Sequence, residues 1–191
     1  AGNVNFFGRP FTVFFNGDAM GKSMQGASGA LVIGSVVNSI MSRSAANKRV
    51  ITKDSGRWLR ETFFEIQKVI ETFEGAMLVS CVLGVIDDET GLLQFFNAEH
   101  PLSVIYRDGK ASFIENEITM HKLGIPFNTE VDLFQFQLEL GDVIFCGSDG
   151  RDDLNLNQSE PGINISKENP KFFLNTVEAS DGQLEQIYKN L

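Results

Sequence analysis

The segment FTVFFNGDAMGKSMQGASGAL, residues 11–31, changes its pattern in the middle. Its first eight residues are rich in β-forming side chains and end at a Gly-Asp pair, which predicts a strand that runs into a loop. Small and apolar residues then follow a serine at spacings that predict a helix over residues 23–46, with small residues on its packing face. The chain therefore begins with a strand, a loop that carries an aspartate, and a helix.

A second helix and a series of strands follow. Apolar residues at helical spacing predict an amphipathic helix over residues 57–73. The pattern then changes to continuous or alternating apolar runs, which predict a hairpin that turns at Asp108-Gly109 and further strands in residues 75–87, 92–100, 131–140 and 142–150. Short helices are predicted within residues 172–191. This order indicates an α+β fold whose antiparallel sheets are covered on both faces.

The composition and charge limit the class of protein. The chain has 191 residues, of which 42% are apolar and 21% charged, which is typical of one globular domain and excludes disordered classes. The net charge is +6 over residues 1–60 and −15 over residues 61–191. Because no aromatic residues are interleaved with the basic ones, we favour a solvated helix face and loop over a nucleic-acid site.

The cysteines and the hydropathy pattern indicate the compartment. Cys81 and Cys146 lie inside apolar runs, which favours buried, reduced thiols over a disulfide. His100 and His121 are far apart in the sequence, so we do not expect a zinc site. The chain has no apolar run of about 18 residues and no signal-peptide pattern. We therefore expect a cytoplasmic domain without membrane contact.

Three loops that each follow a predicted buried strand carry the candidate functional residues. Asp18 lies in residues 17–22, Asp149 lies in residues 147–153, and an Asn-Ala-Glu-His-Pro turn occupies residues 97–101. Carboxylates beside glycine are typical ligands of Mg²⁺ or Mn²⁺, although a single Asp-Gly pair is also a common turn. Two such loops at one edge of a pair of sheets would form a two-metal centre for phosphoester hydrolysis.

The three segments together carry a resemblance to a known family. NGDAMGKSMQGASGAL resembles the GD-x-x-G-H-G-x-x-A-A-L segment of the SpoIIE/RsbU-type protein phosphatases, a bacterial branch of the PP2C (PPM) family. FNAEHPLSVIYRDGK resembles the family's N-A-G-H-P-P segment, and LELGDVIFCGSDGRDDL resembles its L-x-x-G-D segment with the following (S/T)-D-G. The resemblance covers about residues 11–154. It implies a PP2C-like α/β/β/α sandwich of two mostly antiparallel sheets flanked by helices.

The resemblance also implies the residues of an active centre. Asp18 would bridge two Mn²⁺ or Mg²⁺ ions, Ala19 would bind through its backbone carbonyl, and Asp149 would bind the second ion. Asp153, four residues further along, is another implied metal ligand. The implied reaction is hydrolysis of a phosphoserine or phosphothreonine by metal-activated water, with Asp18 and Asp149 as the catalytic candidates. The implied substrate is a phosphorylated bacterial regulatory protein, such as an anti-sigma-factor antagonist.

Five other positions in or near these segments need an interpretation. Lys22 stands where the family has histidine, and we expect it either to approach the substrate phosphate or to be solvated. Glu99 stands where the family has glycine. We interpret His100 as shaping the turn rather than as an acid. We interpret Arg151 as pairing with neighbouring acids rather than with phosphate, and His121 as a surface residue.

The two ends of the chain bear on the choice between hypotheses. The family's pattern includes an earlier Gly-Asp motif and a final Asp-Asp motif, and neither occurs here, so we expect a single, incomplete phosphatase domain over residues 1–191. A metal-dependent serine/threonine phosphatase is the favoured hypothesis. A catalytically inactive pseudophosphatase that binds a partner, and an acidic α+β module with coincidental aspartate turns, stay open. The two predicted helices, 23–46 and 57–73, offer a surface for a homodimer.

Overall fold

The computed structural model describes residues 1–20, 24–46, 52–126, 130–151 and 171–191. In these ranges the chain forms eight strands, four α-helices and one short 3-10 turn. They are β1 Gly2–Phe6, β2 Arg9–Ala19, α1 Met24–Ala46, α2 Ser55–Glu71, β3 Val79–Asp87, β4 Leu92–Ala98, β5 Val104–Arg107, β6 Lys110–Phe113, β7 Phe134–Gln137, β8 Val143–Phe145, the 3-10 turn Asp149–Arg151, α3 Phe172–Ala179 and α4 Leu184–Asn190.

The chain divides into two compact units. The first comprises Ala1–His100 and Glu117–Leu138, and the second comprises Pro101–Asn116 and Glu139–Leu191. The first unit contains an antiparallel sheet in the order β1-β2-β3-β4-β7, and the second contains one in the order β6-β5-β8. The predicted α+β class with two antiparallel sheets is therefore confirmed.

Helices α1 and α2 pack on one face of the five-stranded sheet. Side chains alternate between the two faces of a strand, so every second residue of β2, β3 and β4 points toward the helices. Phe63 of α2 meets Phe96 of β4 edge to face, with ring centroids 5.3 Å apart, and both rings are fully buried. Burial of each such side chain contributes about 2–3 kcal/mol. This packing makes the first unit's sheet a rigid support for the residues at its strand ends.

The element boundaries depart from the sequence predictions at several places; strand β3, for example, begins at Val79 rather than residue 75, and β8 covers only Val143–Phe145. Helix α2 begins at Ser55 rather than residue 57, because the Asp54 carboxylate accepts a hydrogen bond from the backbone N–H of Arg57 at 2.9 Å and caps the helix. Strand β1 was not predicted, and it pairs with β2, which is longer than expected. Strand β7 is shorter than the predicted 131–140, and it ends at Gln137.

The second unit is built around the predicted hairpin. Asp108 and Gly109 form its turn with φ angles of 49° and 80°, as the Asp-Gly pair predicts. Helix α3 packs against β5 and β6, and the predicted short helices near the end of the chain are confirmed. The buried core of this unit consists of Val104, Phe145, Phe173, Val177 and Ile187.

A charged pair holds the turn that leads into β8. Arg107 donates from Nε and Nη2 to the two carboxylate oxygens of Asp142, at 2.8 and 2.6 Å. The backbone N–H of Glu139 donates to the same carboxylate at 2.7 Å. The bidentate Arg107 contact, against a smaller opposing effect of burial, holds the pKa of Asp142 below its ordinary value. Asp142 is therefore a charged carboxylate that stabilises this turn of the second unit.

The two cysteines are free. Cys81 is fully buried, and Cys146 is partly exposed. Burial raises the pKa of both thiols, that of Cys146 to about 11, so the thiols are not reactive nucleophiles at neutral pH. Within the described part of the chain, no helix is both long enough and apolar enough to cross a membrane.

Candidate active site

Asp18 lies at the end of β2, where the strand is held by β3. In the antiparallel register Asp18 pairs with Ser80, and Ala19 pairs with Val79. The next residue continues this pairing, since the N–H of Met20 donates to the carbonyl of Leu78 at 2.8 Å. Asp18 is half-buried, so its carboxylate lies on a well-supported strand rather than in the loop that the sequence predicted.

Helix α1 packs closely against the residue after Asp18. A Cβ added at Gly29 of α1 would come within 2.5 Å of the Cβ of Ala19. No side chain fits between the two backbones, so glycine at this position permits the approach. The predicted small residues on the packing face therefore allow α1 to lie in direct contact with Ala19.

His100 is the centre of a polar network beside Asp18. The imidazole is fully buried, with Nε2 2.8 Å from Asn16 Oδ1 and Nδ1 3.0 Å from Ser80 Oγ. Because the Asn16 carbonyl oxygen only accepts, Nε2 donates to it, and in the neutral ring Nδ1 accepts from the hydroxyl of Ser80. The backbone N–H of His100 also donates to Asn97 Oδ1 at 2.7 Å. These contacts fit the interpretation of His100 as a residue that shapes the turn.

Asp149 belongs to the second unit, in the 3-10 turn Asp149–Arg151 that follows β8. Its side chain is exposed. Arg151, at the other end of the turn, donates from Nη2 to the carbonyl of Leu102 at 2.7 Å and lies 4.8 Å from the centre of the Phe173 ring. The turn that carries Asp149 is thus anchored through Arg151.

Glu99 and His121 have defined surroundings. Glu99 adopts a left-handed φ of 50°, a conformation that favours the glycine of the family's pattern. Its carboxylate accepts from Lys122 Nζ at 2.7 Å, and His121 Nδ1 lies 3.8 Å away on a mostly exposed ring, as predicted. Lys22 and Asp153 lie outside the described residues. Of the neighbouring acids with which Arg151 was expected to pair, those at 152 and 153 also lie outside them.

Comparison with a protein family identifies the chain. A family model described as Stage II sporulation protein E (SpoIIE) matches residues 11–191. The chain belongs to the SpoIIE family. The resemblance that rests on the three sequence segments is thereby confirmed, and the family match extends it to the last residue. A comparison with curated protein sequences finds no match.

Solved structures with the same fold are bacterial phosphatase domains. The RsbU and RsbW domains of Rv1364c from Mycobacterium tuberculosis superpose with a TM-score of 0.69 at 17% identity, covering 100% of this chain and 50% of that one. The serine/threonine phosphatase of S. agalactiae gives 0.64 at 15% identity, with 99% and 82% covered. The PP2C phosphatase domain of SpoIIE from Bacillus subtilis, with a fragment of its regulatory domain, gives 0.63 at 12% identity, with 100% and 57% covered. This SpoIIE-family chain therefore has the fold of PP2C-type bacterial serine/threonine phosphatases, and it spans about half the length of the first of these structures.

The expected metal ligands of this SpoIIE-family chain have donor atoms that suit a hard cation. Carboxylate and carbonyl oxygens, which Asp18, Ala19 and Asp149 provide, are the donors that Mg²⁺ and Mn²⁺ prefer. In the ranges that the structure describes, no three histidine, cysteine or acidic side chains gather into a metal-binding group. Asp18 and Asp149 belong to different units, and Asp153 is not among the described residues.

Sequence reasoning missed two residues of the Asp18 surroundings, Asn16 and Ser80. Both are polar residues inside apolar strand segments, FTVFFNGD and MLVSCVLGV, and that anomaly was the available signal. A polar side chain on a buried strand needs a hydrogen-bond partner, but the partner lies on another strand and is not identified by local pattern. Arg107 and Asp142 were missed for the same reason.

Proposed function

We propose that this chain is a metal-dependent protein serine/threonine phosphatase of the SpoIIE type. The observation that carries the proposal is the placement of Asp18. It is a half-buried carboxylate at the end of a central strand, paired with Ser80 and next to the buried His100 network. The family match over residues 11–191 and the PP2C-type fold support the same activity.

The proposed centre would hold Mn²⁺ or Mg²⁺, with two ions expected. The residues that would hold the ions are Asp18, Asp149 and Asp153 through their carboxylates and Ala19 through its backbone carbonyl. When bound, the ions supply an activated water and positive charge that balances the phosphate oxygens. The chain's own residues hold the donors in place: β2 and β3 fix Asp18, and the Arg151 contacts fix the turn that carries Asp149.

We propose a phosphorylated regulatory protein of the cytoplasm as the substrate, such as an anti-sigma-factor antagonist. Among the relatives, an RsbU domain occurs beside an RsbW domain in the Mycobacterium tuberculosis protein, and another similar structure is described as part of the bacterial stressosome. The two free cysteines, of which Cys81 is fully buried, fit a reducing compartment. A homodimer through α1 and α2 stays a prediction.

A pseudophosphatase that binds a partner without hydrolysis is the second candidate. It shares the family and the fold with the first candidate and differs from it in chemistry. The two candidates differ in whether the chain releases phosphate and binds Mn²⁺.

The test is phosphate release from p-nitrophenyl phosphate and from a phosphoserine peptide, with Mn²⁺ and after chelation with EDTA. We expect Mn²⁺-dependent release, and we expect Asp18→Asn and Asp149→Asn to lower kcat by about 100-fold or more, because each removes a charged metal ligand. Asp108→Asn is the matched control, since Asp108 is also followed by glycine in an exposed turn of the second unit, and its kcat should be unchanged.

Two outcomes would contradict the proposal. Activity that persists in the Asp18→Asn variant would show that the carboxylate is not a metal ligand. The absence of any phosphate release or Mn²⁺ binding by the unmodified chain would favour the pseudophosphatase.

A further inference from the structure

We propose that His100 is a positioning residue for Asp18, acting through Asn16 and Ser80. The inference rests on the proposed function, in which Asp18 binds metal. In this role the buried imidazole links β2 to β3 beside Asp18 and so limits the movement of the Asp18 carboxylate.

The strand register places the partners of His100 on both sides of Asp18. Asn16 lies two residues before Asp18 on β2, and Ser80 is the residue paired with Asp18 on β3. Because side chains alternate along a strand and paired residues share a face, Asn16, Asp18 and Ser80 all lie on the same face of the sheet. This is the face opposite the one that α1 and α2 cover.

The imidazole connects these two neighbours of Asp18 directly. Nε2 lies 2.8 Å from Asn16 Oδ1, and Nδ1 lies 3.0 Å from Ser80 Oγ. Both ring nitrogens are therefore engaged by residues that flank Asp18, one along its own strand and one across to the next. A rigid planar ring held at both ends limits the relative movement of β2 and β3 where the carboxylate is presented.

The backbone of His100 is held from strand β4. Asn97, near the end of β4, is fully buried, and its side chain accepts from the backbone N–H of His100. Glu99, between them, is held in its left-handed conformation by Lys122. These contacts fix the turn after β4. Because His100 lies in this turn and contacts Asn16, the turn also fixes the end of β2.

A purely structural role is the competing interpretation, in which His100 only satisfies buried polar groups. Both interpretations predict a loss of stability when the ring is removed. Only the positioning role predicts a specific loss of metal affinity. A substitution elsewhere in the first unit that lowers the stability equally should then weaken metal binding less. Residues that orient metal ligands typically contribute about 10–100-fold to metal affinity.

The matched pair for this test is Ser80→Ala and Ser44→Ala. Both serines belong to the first unit, both are 8% exposed, and each hydroxyl bonds one buried ring nitrogen, Ser44 accepting from Trp58 Nε1 at 2.9 Å. Ser44 lies on α1, away from the β2–β3 pairing that carries Asp18. The histidine series is His100→Ala, His100→Gln and His100→Asn. Gln places an amide near Nε2 and Asn places one near Nδ1, so each restores one of the two contacts.

The measurements are the Mn²⁺ dissociation constant by calorimetry, the melting temperature, and hydrogen exchange of the amides at residues 18–20 without metal. We expect Ser80→Ala and His100→Ala to weaken Mn²⁺ binding about tenfold and to speed that exchange, with the Gln and Asn variants intermediate. Ser44→Ala should lower the melting temperature without changing either.

Each outcome separates the inference from the proposed function. If the unmodified chain binds Mn²⁺ and the Ser80→Ala and His100→Ala variants bind it equally well, the positioning role is wrong while the phosphatase proposal stands. If Ser44→Ala weakens binding as much as Ser80→Ala does, the effect is one of stability, and the positioning role is again wrong. If the unmodified chain binds no Mn²⁺, the proposed function itself fails, and this role fails with it.

Discussion

Glu99 shows how a single residue departs from its family's pattern. The left-handed φ of 50° at this position suits glycine, because a Cβ in that conformation crowds the following carbonyl oxygen. Here the side chain compensates. Lys122 donates to Glu99 from both its ammonium group and its backbone N–H, and this contact, more than any other, holds the pKa of Glu99 below its ordinary value. The salt bridge offsets the backbone strain.

Two substitutions at Glu99 separate the strain from the salt bridge. Glu99→Gly and Glu99→Ala both remove the carboxylate, but only glycine also relieves the backbone. We therefore expect Glu99→Gly to be more stable than Glu99→Ala by about 1 kcal/mol, measured as the free energy of unfolding in urea. Equal stabilities for the two variants would show that the left-handed conformation is not strained.

Two of the glycines in helix α1, Gly29 and Gly34, have different surroundings, which makes the packing of the helix testable at the scale of an element. Gly29 faces Ala19 with no room for a side chain, whereas a Cβ at Gly34 would meet no atom within 4 Å. Alanine is intrinsically better than glycine in a helix by about 1 kcal/mol. The two positions therefore carry the same propensity gain and differ in their packing.

We expect Gly34→Ala to stabilise the chain by about 0.5–1 kcal/mol and Gly29→Ala to destabilise it by about 1–3 kcal/mol. The destabilisation arises because the new methyl group pushes α1 away from the end of β2. Thermal or urea unfolding of the two variants measures both effects. A stabilising Gly29→Ala would mean that α1 does not pack closely against Ala19. Since Ala19 follows Asp18, Gly29→Ala should also weaken Mn²⁺ binding if the proposed centre is correct.

At the scale of the whole molecule, each unit contains a carboxylate that is bound as an anion. In the first unit Asp87 accepts hydrogen bonds from the backbone N–H groups of Glu89 and Thr90 and pairs with Arg9. Burial works to raise the pKa of Asp87, but these contacts together outweigh it and lower the pKa. In the second unit Asp142 has the same role, with Arg107 as its main partner.

These lowered pKa values predict the acid sensitivity of the fold. A carboxylate whose pKa is lower in the folded state stabilises that state fully above its unfolded pKa of about 4, and the contribution is lost as the pH falls through the folded pKa. We therefore expect the free energy of unfolding to decrease below about pH 4. Asp142→Asn should cost about 2 kcal/mol at pH 7, with the difference from the unmodified chain shrinking at low pH.

The aromatic residues allow the two units to be followed separately. The single Trp, Trp58, belongs to the first unit, and both tyrosines, Tyr106 and Tyr188, belong to the second. Asp142→Asn should change the acid transition seen in tyrosine absorbance, and Asp87→Asn should change the one seen in Trp58 fluorescence. An unchanged pH dependence in both variants would show that neither carboxylate is linked to folding.

The amino-acid sequence by itself determined the features that depend on neighbouring residues. The strand that leads to Asp18, the small-residue face of α1, the apolar stripe of α2 and the Asp108-Gly109 turn all follow from local period or local φ preference. The three segments around Asp18, His100 and Asp149 were also enough to indicate the family. These features were predictable because their causes lie within a few residues along the chain.

Only the tertiary structure decided which distant residues meet. Asn16 and His100 are 84 positions apart and Ser80 and His100 are 20 apart, yet they form one buried network, because β2, β3 and the end of β4 are neighbours in one sheet. Strand pairing also formed β1, and the packing of α1 on the sheet brought Gly29 close to Ala19. The side chains carry the capacity to hydrogen-bond and pack, but the register of the sheet decides which partners come within reach.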